Sequence, residues 1–253
     1  MGFDNYIALN FTFRGIDEKI DGIISEIEET EINSEIYFDK SSEYEEAKPY
    51  LAQLEKDIKR AKENSDYVIV IYHGGKEHCR YPSPRLMKAC RAMVRNGADV
   101  VLCQHSHCIG CYEEFQGGHI LYGQGNFHFV KPCKEENVDS WDGCLAVKYD
   151  TTENKIEFTP ILMNGNGIAL ANPEEAKTMM EEFESRNEEL KNGKWIDGWR
   201  AFCESLEERY MTNAQCGAGL DREGIAARAF AHYLDCEAHC DILRELYPTW
   251  NKT

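Results

Sequence analysis

Three short apolar runs, each followed closely by histidine or glycine, constrain the fold of this chain more than any other feature. The runs are Tyr67–Tyr72, Val100–Cys103 and Ile120–Tyr122. The first run consists of β-branched and aromatic residues, which is typical of a strand covered on both faces. The carboxyl ends of neighbouring parallel strands meet at one edge of a sheet, and open α/β sheets bind their ligands there. The sequence therefore predicts an α/β fold with a site at this edge.

The segments between and after these runs complete the pattern. Pro82-Ser83-Pro84 opens a segment, Arg85–Asn96, whose apolar residues recur at helical spacing. Asn96-Gly97 is a typical helix end. A strand, a helix and a second strand in succession predict a βαβ unit with parallel strands. Two hairpins are predicted further on, with turns at Gly117-Gly118 and at Thr151–Lys155.

The pattern becomes helical after about Asn164. Apolar spacing predicts helices in both flanking regions, at Ile16–Glu29, Glu45–Glu63, Glu174–Leu190, Trp195–Tyr210 and Ile225–Leu246. We therefore expect the site-bearing region to end near residue 165 and a helical extension to occupy residues 166–253.

Composition excludes several classes of partner. The 45 acidic and 28 basic residues give a net charge of −17, which argues against binding to nucleic acid or to an anionic membrane. No apolar run approaches the roughly 18 residues of a membrane span. The N-terminal residues lack the basic and long apolar regions of a signal peptide. Together with the eleven cysteines, interpreted as reduced thiols, these features predict a cytoplasmic protein.

Histidines at the strand ends are the strongest chemical signal. His73 follows the first apolar run, and His105 and His107 follow the second. Neutral imidazole is a good ligand for zinc, manganese, iron or nickel. Residues two apart in an extended segment place their side chains on one side. A metal site is therefore predicted, and a pair of exposed loop histidines is the alternative.

Polar residues next to these histidines are candidates for catalysis and substrate binding. Glu77 and His78 are each candidates for a general acid or base, or for a group that orients a metal ligand, unless their loop is a solvated turn. Asn126 is a candidate to contribute its amide to a ligand, to orient a histidine or to cap a turn. Arg80 and Arg85 are candidates to bind an anionic substrate group, although surface arginines are common.

The cysteines offer a competing interpretation. Cys103, Cys108 and Cys111 have the C-x4-C-x2-C spacing of plant-type iron–sulfur proteins, and Cys133 or Cys144 would supply a fourth ligand. A zinc site combining these thiols with a histidine of the same loop is a further alternative. Against both, Cys103 ends an apolar strand, which predicts that its side chain points into the core.

In their order, the three motifs resemble those of the CapA family, the poly-γ-glutamate capsule synthesis proteins, which are related to calcineurin-like metallophosphoesterases. The resemblance spans roughly residues 60–165 and rests on DYVIVIYHGGKEH, GADVVLCQHSH and ILYGQGNF. The family pattern has His-Trp-Gly-x-Glu-Tyr, then Gly-Ala-Asp leading to Gly-His-x-His, then Tyr-Ser-Leu-Gly-Asn-Phe. Gly74 stands in place of its tryptophan, His78 in place of its tyrosine and Gln104 in place of a glycine.

This resemblance implies a metal-dependent hydrolase within an α/β/β/α sandwich. His73 and His105 would ligate one divalent ion (manganese, iron or zinc) and His107 a second, with a metal-bound hydroxide attacking phosphorus or an acyl carbon. The implied substrate is an anionic small molecule or polymer, either a phosphoester or a γ-glutamyl compound of capsule biosynthesis.

The first half of the family's domain also carries an aspartate ligand, a bridging aspartate and an Asn-His pair, and we find none of these motifs in residues 1–60. We therefore expect residues 1–165 to form the C-terminal portion of such a sandwich, with a second copy or a companion chain supplying the remainder. The alternative is a truncated, non-catalytic domain that binds a ligand or a partner chain.

Overall fold

The structure is a computed structural model that describes residues 6–12, 53, 56–128, 143–164, 167–218 and 224–247. These residues form two compact units: the first comprises residues 6–12 and 56–195, and the second begins at residue 196. The predicted helix Ile16–Glu29 lies outside the described residues. Of the predicted helix Glu45–Glu63, the continuously described part, residues 56–64, is helical and is called α1.

A five-stranded sheet forms the framework of the first unit. Its strands are β1 Tyr6–Thr12, β2 Tyr67–His73, β3 Val100–Gln104, β4 Tyr112–Phe115 and β5 Gly118–Leu121. Their spatial order is β1-β2-β3-β5-β4, in which β1, β2, β3 and β5 are parallel and β4 is antiparallel to β5. The α/β class and the three parallel strands predicted from the apolar runs are therefore confirmed.

Helix α2, Pro84–Arg95, connects β2 to β3. Its N-cap residue Ser83 accepts a hydrogen bond from Leu86 N at 3.1 Å, and Pro84 occupies the first turn, where its missing N–H has no cost. The helix ends at Asn96, as the Asn96-Gly97 pair predicts, and the observed limits lie within one residue of the expected ones. Burial alternates along β2, so one of its faces is more completely covered than the other.

A second sheet contains three antiparallel strands, β6 Gly143–Asp150, β7 Lys155–Asn164 and β8 Gly167–Leu170, in that order. Both predicted hairpins are present, as β4–β5 and β6–β7. At the first turn Gln116 and Gly117 both have positive φ values, 48° and 83°, which is the conformation of a two-residue hairpin turn that matches strand twist.

The two sheets and helix α3, Pro173–Lys191, share one buried apolar cluster. It contains Ile109 from the loop after β3, Leu121 from β5, Leu145 from β6 and Phe183 from α3. Leu121, Leu145 and Phe183 are completely buried. Because α3 contributes to this cluster, the first unit extends beyond residue 165, where the sequence changes character, to residue 195.

The loop after β5 also joins the two sheets directly. Gly125 forms an isolated antiparallel bridge with Cys144 of β6, and Asn126 N donates to Gly143 O at 3.0 Å. Gly125 has φ +85°, and a Cβ there would lie 2.3 Å from Gly143 O. Both the left-handed backbone and the close approach require glycine. This contact fixes Asn126 at the end of the parallel strands.

Helices α4 Trp195–Ala218, α5 Ile225–Asp235 and α6 Glu237–Leu246 follow α3. The prediction of one continuous helix over Ile225–Leu246 is wrong, because Cys236 is extended, with φ −118° and ψ 116°. The sequence at this break contains neither proline nor glycine, and the helical spacing of apolar residues continues across it. The sequence therefore predicts one helix where the structure has two. Within the described residues, no helix combines the length and the apolar character needed to cross a membrane.

Candidate metal centre

The parallel strands deliver polar side chains to one edge of the first sheet. His73 is the last residue of β2, and it pairs with Gln104 at the end of the adjacent strand β3. His105 and His107 follow β3 immediately, and Asn126 lies in the loop after β5. The carboxyl edge of this sheet therefore carries all three predicted metal-ligating histidines.

Three of these side chains form a potential ligand set. Glu77, His105 and His107 each offer a ligand atom, and the three atoms lie within 4.8 Å of one another. The His105 Nε2 and Glu77 Oε1 atoms are 3.9 Å apart. Two imidazoles and a carboxylate are a common donor set for zinc, manganese or iron. Glu77, which the sequence suggested as an acid or base, thus lies where a ligand would.

His73 lies beside this set and outside it. Its ring centroid is 5.0 Å from that of His105, whereas the rings of His105 and His107 are 5.7 Å apart. His78 extends the row, with its ring 6.4 Å from that of His107. The structure thus gathers four histidines at one edge, and the group whose donor atoms lie within 4.8 Å of one another contains His105 and His107 but not His73.

The backbone at this edge is strained. His78, His105 and His107 have φ values of 64°, 83° and 56°, in the left-handed region that side chains other than glycine rarely adopt. Each such conformation costs on the order of 1–3 kcal/mol and persists only where the surroundings enforce it. One enforcing contact is the hydrogen bond from His78 N to Ser106 O, at 2.7 Å. Strain of this kind concentrates at functional sites.

Asn126 positions His107. Its Oδ1 atom lies 2.9 Å from His107 Nδ1, its Nδ2 atom donates to His107 O at 3.5 Å, and its side chain is buried. When Nδ1 carries the proton and donates to Asn126, Nε2 is the nitrogen that coordinates a metal. The amide therefore selects the tautomer and the ring orientation of a ligand, and this contact gives Asn126 a positioning role.

Substitution of Asn126 by alanine is expected to weaken metal binding by about 10–100-fold, the usual effect of removing the hydrogen-bond partner of a ligand. Asn126→Asp is the matched control, since it keeps an oxygen acceptor of the same length. Isothermal titration of both variants with manganese measures the difference. Equal affinities for the alanine variant and the wild type would refute this positioning role.

Burial and charge keep His105 in its ligand form. Burial lowers the pKa of His105, Glu77 raises it, and His73, His107 and Lys76 lower it further. A lowered pKa favours the neutral imidazole, the form that binds metals. Lys76, whose Nζ lies 3.8 Å from Glu77 Oε2, is 10% exposed and was not singled out from the sequence. The sequence feature that could have suggested a role for Lys76 at the site is its position between Gly74-Gly75 and Glu77.

The structure does not join the two candidate arginines to this ligand set. Arg80 Nη1 donates to Glu182 Oε2 of α3 at 3.3 Å, and Arg85 lies in the first turn of α2 and is 7% exposed. Their proposed role in binding an anionic substrate stays a prediction.

The cysteines with iron–sulfur spacing have other partners. Cys103 Sγ lies 3.5 Å from Cys90 Sγ, and Cys108 Sγ donates to the carbonyl oxygen of Cys79 at 3.4 Å. Burial raises the pKa of Cys108 to about 11 and that of Cys111 to about 12, which disfavours the thiolate that ligation needs. Among the described residues, the groups with metal-ligand spacing contain none of these three thiols. The geometry thus favours the histidine centre.

Gly74, where the family pattern has tryptophan, has a local explanation. A Cβ at this position would lie 2.4 Å from Cε1 of Tyr72. The ring of Tyr72, which is 1% exposed, thus occupies the space that a side chain at position 74 would need, and glycine avoids this clash.

These features define an α/β protein with a histidine–carboxylate cluster at the carboxyl edge of a mainly parallel sheet. A comparison with known proteins identifies a family to which part of this chain is similar. The family model for the bacterial capsule synthesis protein PGA_cap matches residues 14–131. Residues 14–131, a little under half of the chain, are therefore similar to the capsule synthesis proteins of the CapA family.

Two curated relatives agree with this assignment. A 79-residue stretch, 31% of this chain, is 38% identical to the capsule biosynthesis protein CapA of Bacillus anthracis. A 107-residue stretch, 41% of the chain, is 38% identical to the PGA biosynthesis protein CapA of Bacillus subtilis (strain 168). The chain covers 19% and 27% of the length of these relatives. It is thus related to proteins of capsule biosynthesis over a limited part of their length.

Proposed function

We propose that this chain is a metal-dependent hydrolase of capsule or poly-γ-glutamate biosynthesis, acting on a phosphoester or on a γ-glutamyl compound. The observation that carries the proposal is the ligand set of Glu77, His105 and His107, whose donor atoms lie within 4.8 Å at the edge where α/β sheets bind ligands. The biosynthetic context rests on the names of the two relatives.

The chemistry of the donor set fits a divalent ion. Two neutral imidazoles and one carboxylate carry a single negative charge, so an ion bound there keeps a net positive charge that attracts an anionic substrate. The lowered pKa of His105 keeps its imidazole neutral for coordination. A divalent ion supplies Lewis acidity and lowers the pKa of a coordinated water.

The protein's own groups would prepare this site in three ways. Asn126 orients the ring of His107 through the 2.9 Å contact at Nδ1. Glu77, with a side chain 44% exposed, is placed to serve as a ligand or to accept a proton from solvent. Lys76, next to Glu77, adds a positive charge that would help to hold a phosphate or carboxylate. His73, beside His105, is the candidate additional ligand.

A second candidate function is a non-catalytic, metal-loaded binding domain. It is favoured by the position of His73 outside the three-donor group. A single ion held by Glu77, His105 and His107 would bind an anionic ligand or a partner chain without hydrolysing it. Metal binding without turnover would distinguish this function from the first.

Hydrolysis can be measured directly. The purified chain, loaded with manganese, iron(II) or zinc, is assayed with bis(4-nitrophenyl) phosphate and with γ-glutamyl-4-nitroanilide. The expected result is metal-dependent release of chromophore by the wild type and at least a 100-fold lower rate for His105→Ala, equivalent to about 2.7 kcal/mol of transition-state stabilisation.

His128→Ala is the matched control for this assay, because His128 is an exposed histidine outside the ligand set. Its rate should equal that of the wild type. Turnover that persists in His105→Ala would rule out this centre as the catalyst. A metal-loaded wild type that hydrolyses neither substrate would favour the binding function.

A further inference from the structure

A second group of metal-ligating side chains lies in the helical unit, at the break between α5 and α6. His232, Cys236 and His239 each offer a ligand atom, and these atoms lie within 4.8 Å of one another. The centroids of the two histidine rings are 5.0 Å apart. All three residues belong to the second compact unit, so this group shares no residue with the cluster at the sheet edge.

The helix break creates the group. In an uninterrupted helix, residues seven apart such as His232 and His239 would be separated by about 10.5 Å along the axis. Here Cys236 is extended, and its carbonyl oxygen accepts hydrogen bonds from His239 N and Cys240 N, both at 2.9 Å. A new helix starts at this point and packs against α5. The last turn of α5 and the first turn of α6 thereby bring the two rings together.

His239 is held by a buried aromatic pair. The hydroxyl of Tyr210 shares a hydrogen bond with His239 Nδ1, and Tyr210 is 2% exposed. Tyr233 stacks on Tyr210 at 4.1 Å, lies 4.7 Å from the His239 ring and accepts a hydrogen bond from Asn213 Nδ2 at 2.7 Å. Metal-binding histidines commonly bond an oxygen through one nitrogen and the metal through the other. His239 has this arrangement, with Nε2 as the coordinating atom.

Cys236 lies between the two histidines in the sequence, at the start of helix α6. It is the N-cap residue of the ten-residue helix α6, and its side chain makes no capping hydrogen bond. The thiol of Cys236 is half-buried, and His232 is exposed, so an ion from solvent can reach the group.

We propose that His232, Cys236 and His239 form a zinc site. One thiolate and two imidazoles are the mixed sulfur–nitrogen set that zinc prefers, and binding releases the thiol proton to solvent. Donor atoms around tetrahedral zinc are about 3.4–3.6 Å apart, so small rotations of the exposed His232 and its neighbours close the group. The fourth position is left to water or to another ligand.

Protection of the thiol from alkylation tests this site in the wild-type chain. At a zinc concentration about 100 times the dissociation constant, the metal-free fraction falls to about one hundredth, and the iodoacetamide reaction of Cys236 should slow by about 100-fold. Cys240, one turn further along α6 and also half-buried, is the internal control and should react at an unchanged rate. Peptide mass spectrometry measures both rates. Equal effects of zinc on the two thiols, or no effect on Cys236, would overturn the proposal.

Cobalt substitution tests the ligands. The wild type loaded with cobalt(II) should show a thiolate-to-cobalt charge-transfer band, to which the sheet-edge cluster contributes nothing because it contains no thiol. Cys236→Ser should abolish the band, and Cys240→Ser should retain it. A wild type without the band, a Cys236→Ser variant that keeps it, or a Cys240→Ser variant that loses it would each refute the assignment.

A surface variant keeps this test decisive if Cys236→Ser does not fold. His232 is exposed, so His232→Gln should leave the circular dichroism spectrum unchanged. Loss of a direct ligand should weaken cobalt binding by about tenfold or more, since even partners of ligands contribute 10–100-fold. Cobalt affinity equal to that of the wild type would exclude His232 as a ligand and overturn the three-residue site.

Discussion

Replacing His105 by alanine is expected to abolish metal binding at the proposed centre on the sheet edge. The variant loses one of three donors whose atoms lie within 4.8 Å, and the remaining pair, Glu77 and His107, cannot complete the set. We expect manganese affinity to fall by at least about 100-fold, or about 2.8 kcal/mol, because loss of a ligand exceeds the 10–100-fold effect of losing its partner. The metal content of dialysed protein, measured by inductively coupled plasma mass spectrometry, reports this loss.

Manganese is the appropriate probe because it favours carboxylate and imidazole donors over thiolate. His128→Ala, which removes an exposed histidine outside the set, should retain the wild-type metal content. His73→Ala separates two arrangements of the site. A modest loss of affinity would indicate a single ion on Glu77, His105 and His107, whereas a loss as large as that of His105→Ala would place His73 among the ligands. Unchanged metal content in His105→Ala would refute the centre itself.

Replacing Phe183 by alanine should strongly destabilise the first unit. Its side chain is completely buried between helix α3 and the two sheets, and its ring meets that of Phe158 edge-on at 5.0 Å. Truncation of a buried phenylalanine removes its transfer free energy and leaves a cavity, at a cost of about 3–5 kcal/mol. Hydrogen-exchange protection of peptides covering β5 and β6 reports the stability of the first unit separately from that of the second.

Phe127→Ala provides the matched control, because Phe127 is 57% exposed and its truncation should change stability by less than about 0.5 kcal/mol. The comparison also tests whether α3 belongs to the first unit. A destabilisation of β5 and β6 by Phe183→Ala no larger than that by Phe127→Ala would show that α3 does not help to hold the two sheets together.

Local patterns in the sequence predicted most of the framework. Continuous β-branched residues indicate β2, and the Asn96-Gly97 pair marks the end of α2 to within one residue. A two-residue hairpin turn needs positive φ values, which glycine adopts readily, so Gly117 marks the turn in the sequence. Each of these signals acts between residues close in the chain, so each can be interpreted without knowledge of the tertiary structure. The position of the histidines at one edge follows from the parallel strands in the same way.

The composition of the ligand set could not be predicted in this manner. Glu77 lies in the loop after β2, and His105 and His107 lie in the loop after β3 with positive φ values, which local sequence patterns do not predict. The prediction that His73 and His105 share one metal came from a family pattern and stays a prediction, and the rings of these two histidines lie 5.0 Å apart. Contacts of this kind depend on through-space distances that periodicity does not encode.

The break at Cys236 shows the same limit within the helical unit. The apolar spacing of Ile225–Leu246 fits one helix, and proline and glycine are absent from the break. We attribute the extended conformation of Cys236 to tertiary contacts. Helix α5 packs against α6, and Tyr210 shares a hydrogen bond with His239. Helix propensity is a weak prior, and tertiary context overrides it here.

The loop at Gly125 and Asn126 would couple the proposed metal binding to the pairing of the two sheets in the first unit. One hydrogen bond of Asn126 attaches the loop to β6, and another orients His107. An ion that requires this orientation therefore also favours attachment of the second sheet, by RT ln(1 + [L]/Kd). Conversely, a change at the start of β6 that touches no ligand weakens the affinity for the ion. The proposed metal binding and the pairing of the two sheets would therefore be two coupled equilibria, each of which shifts the other.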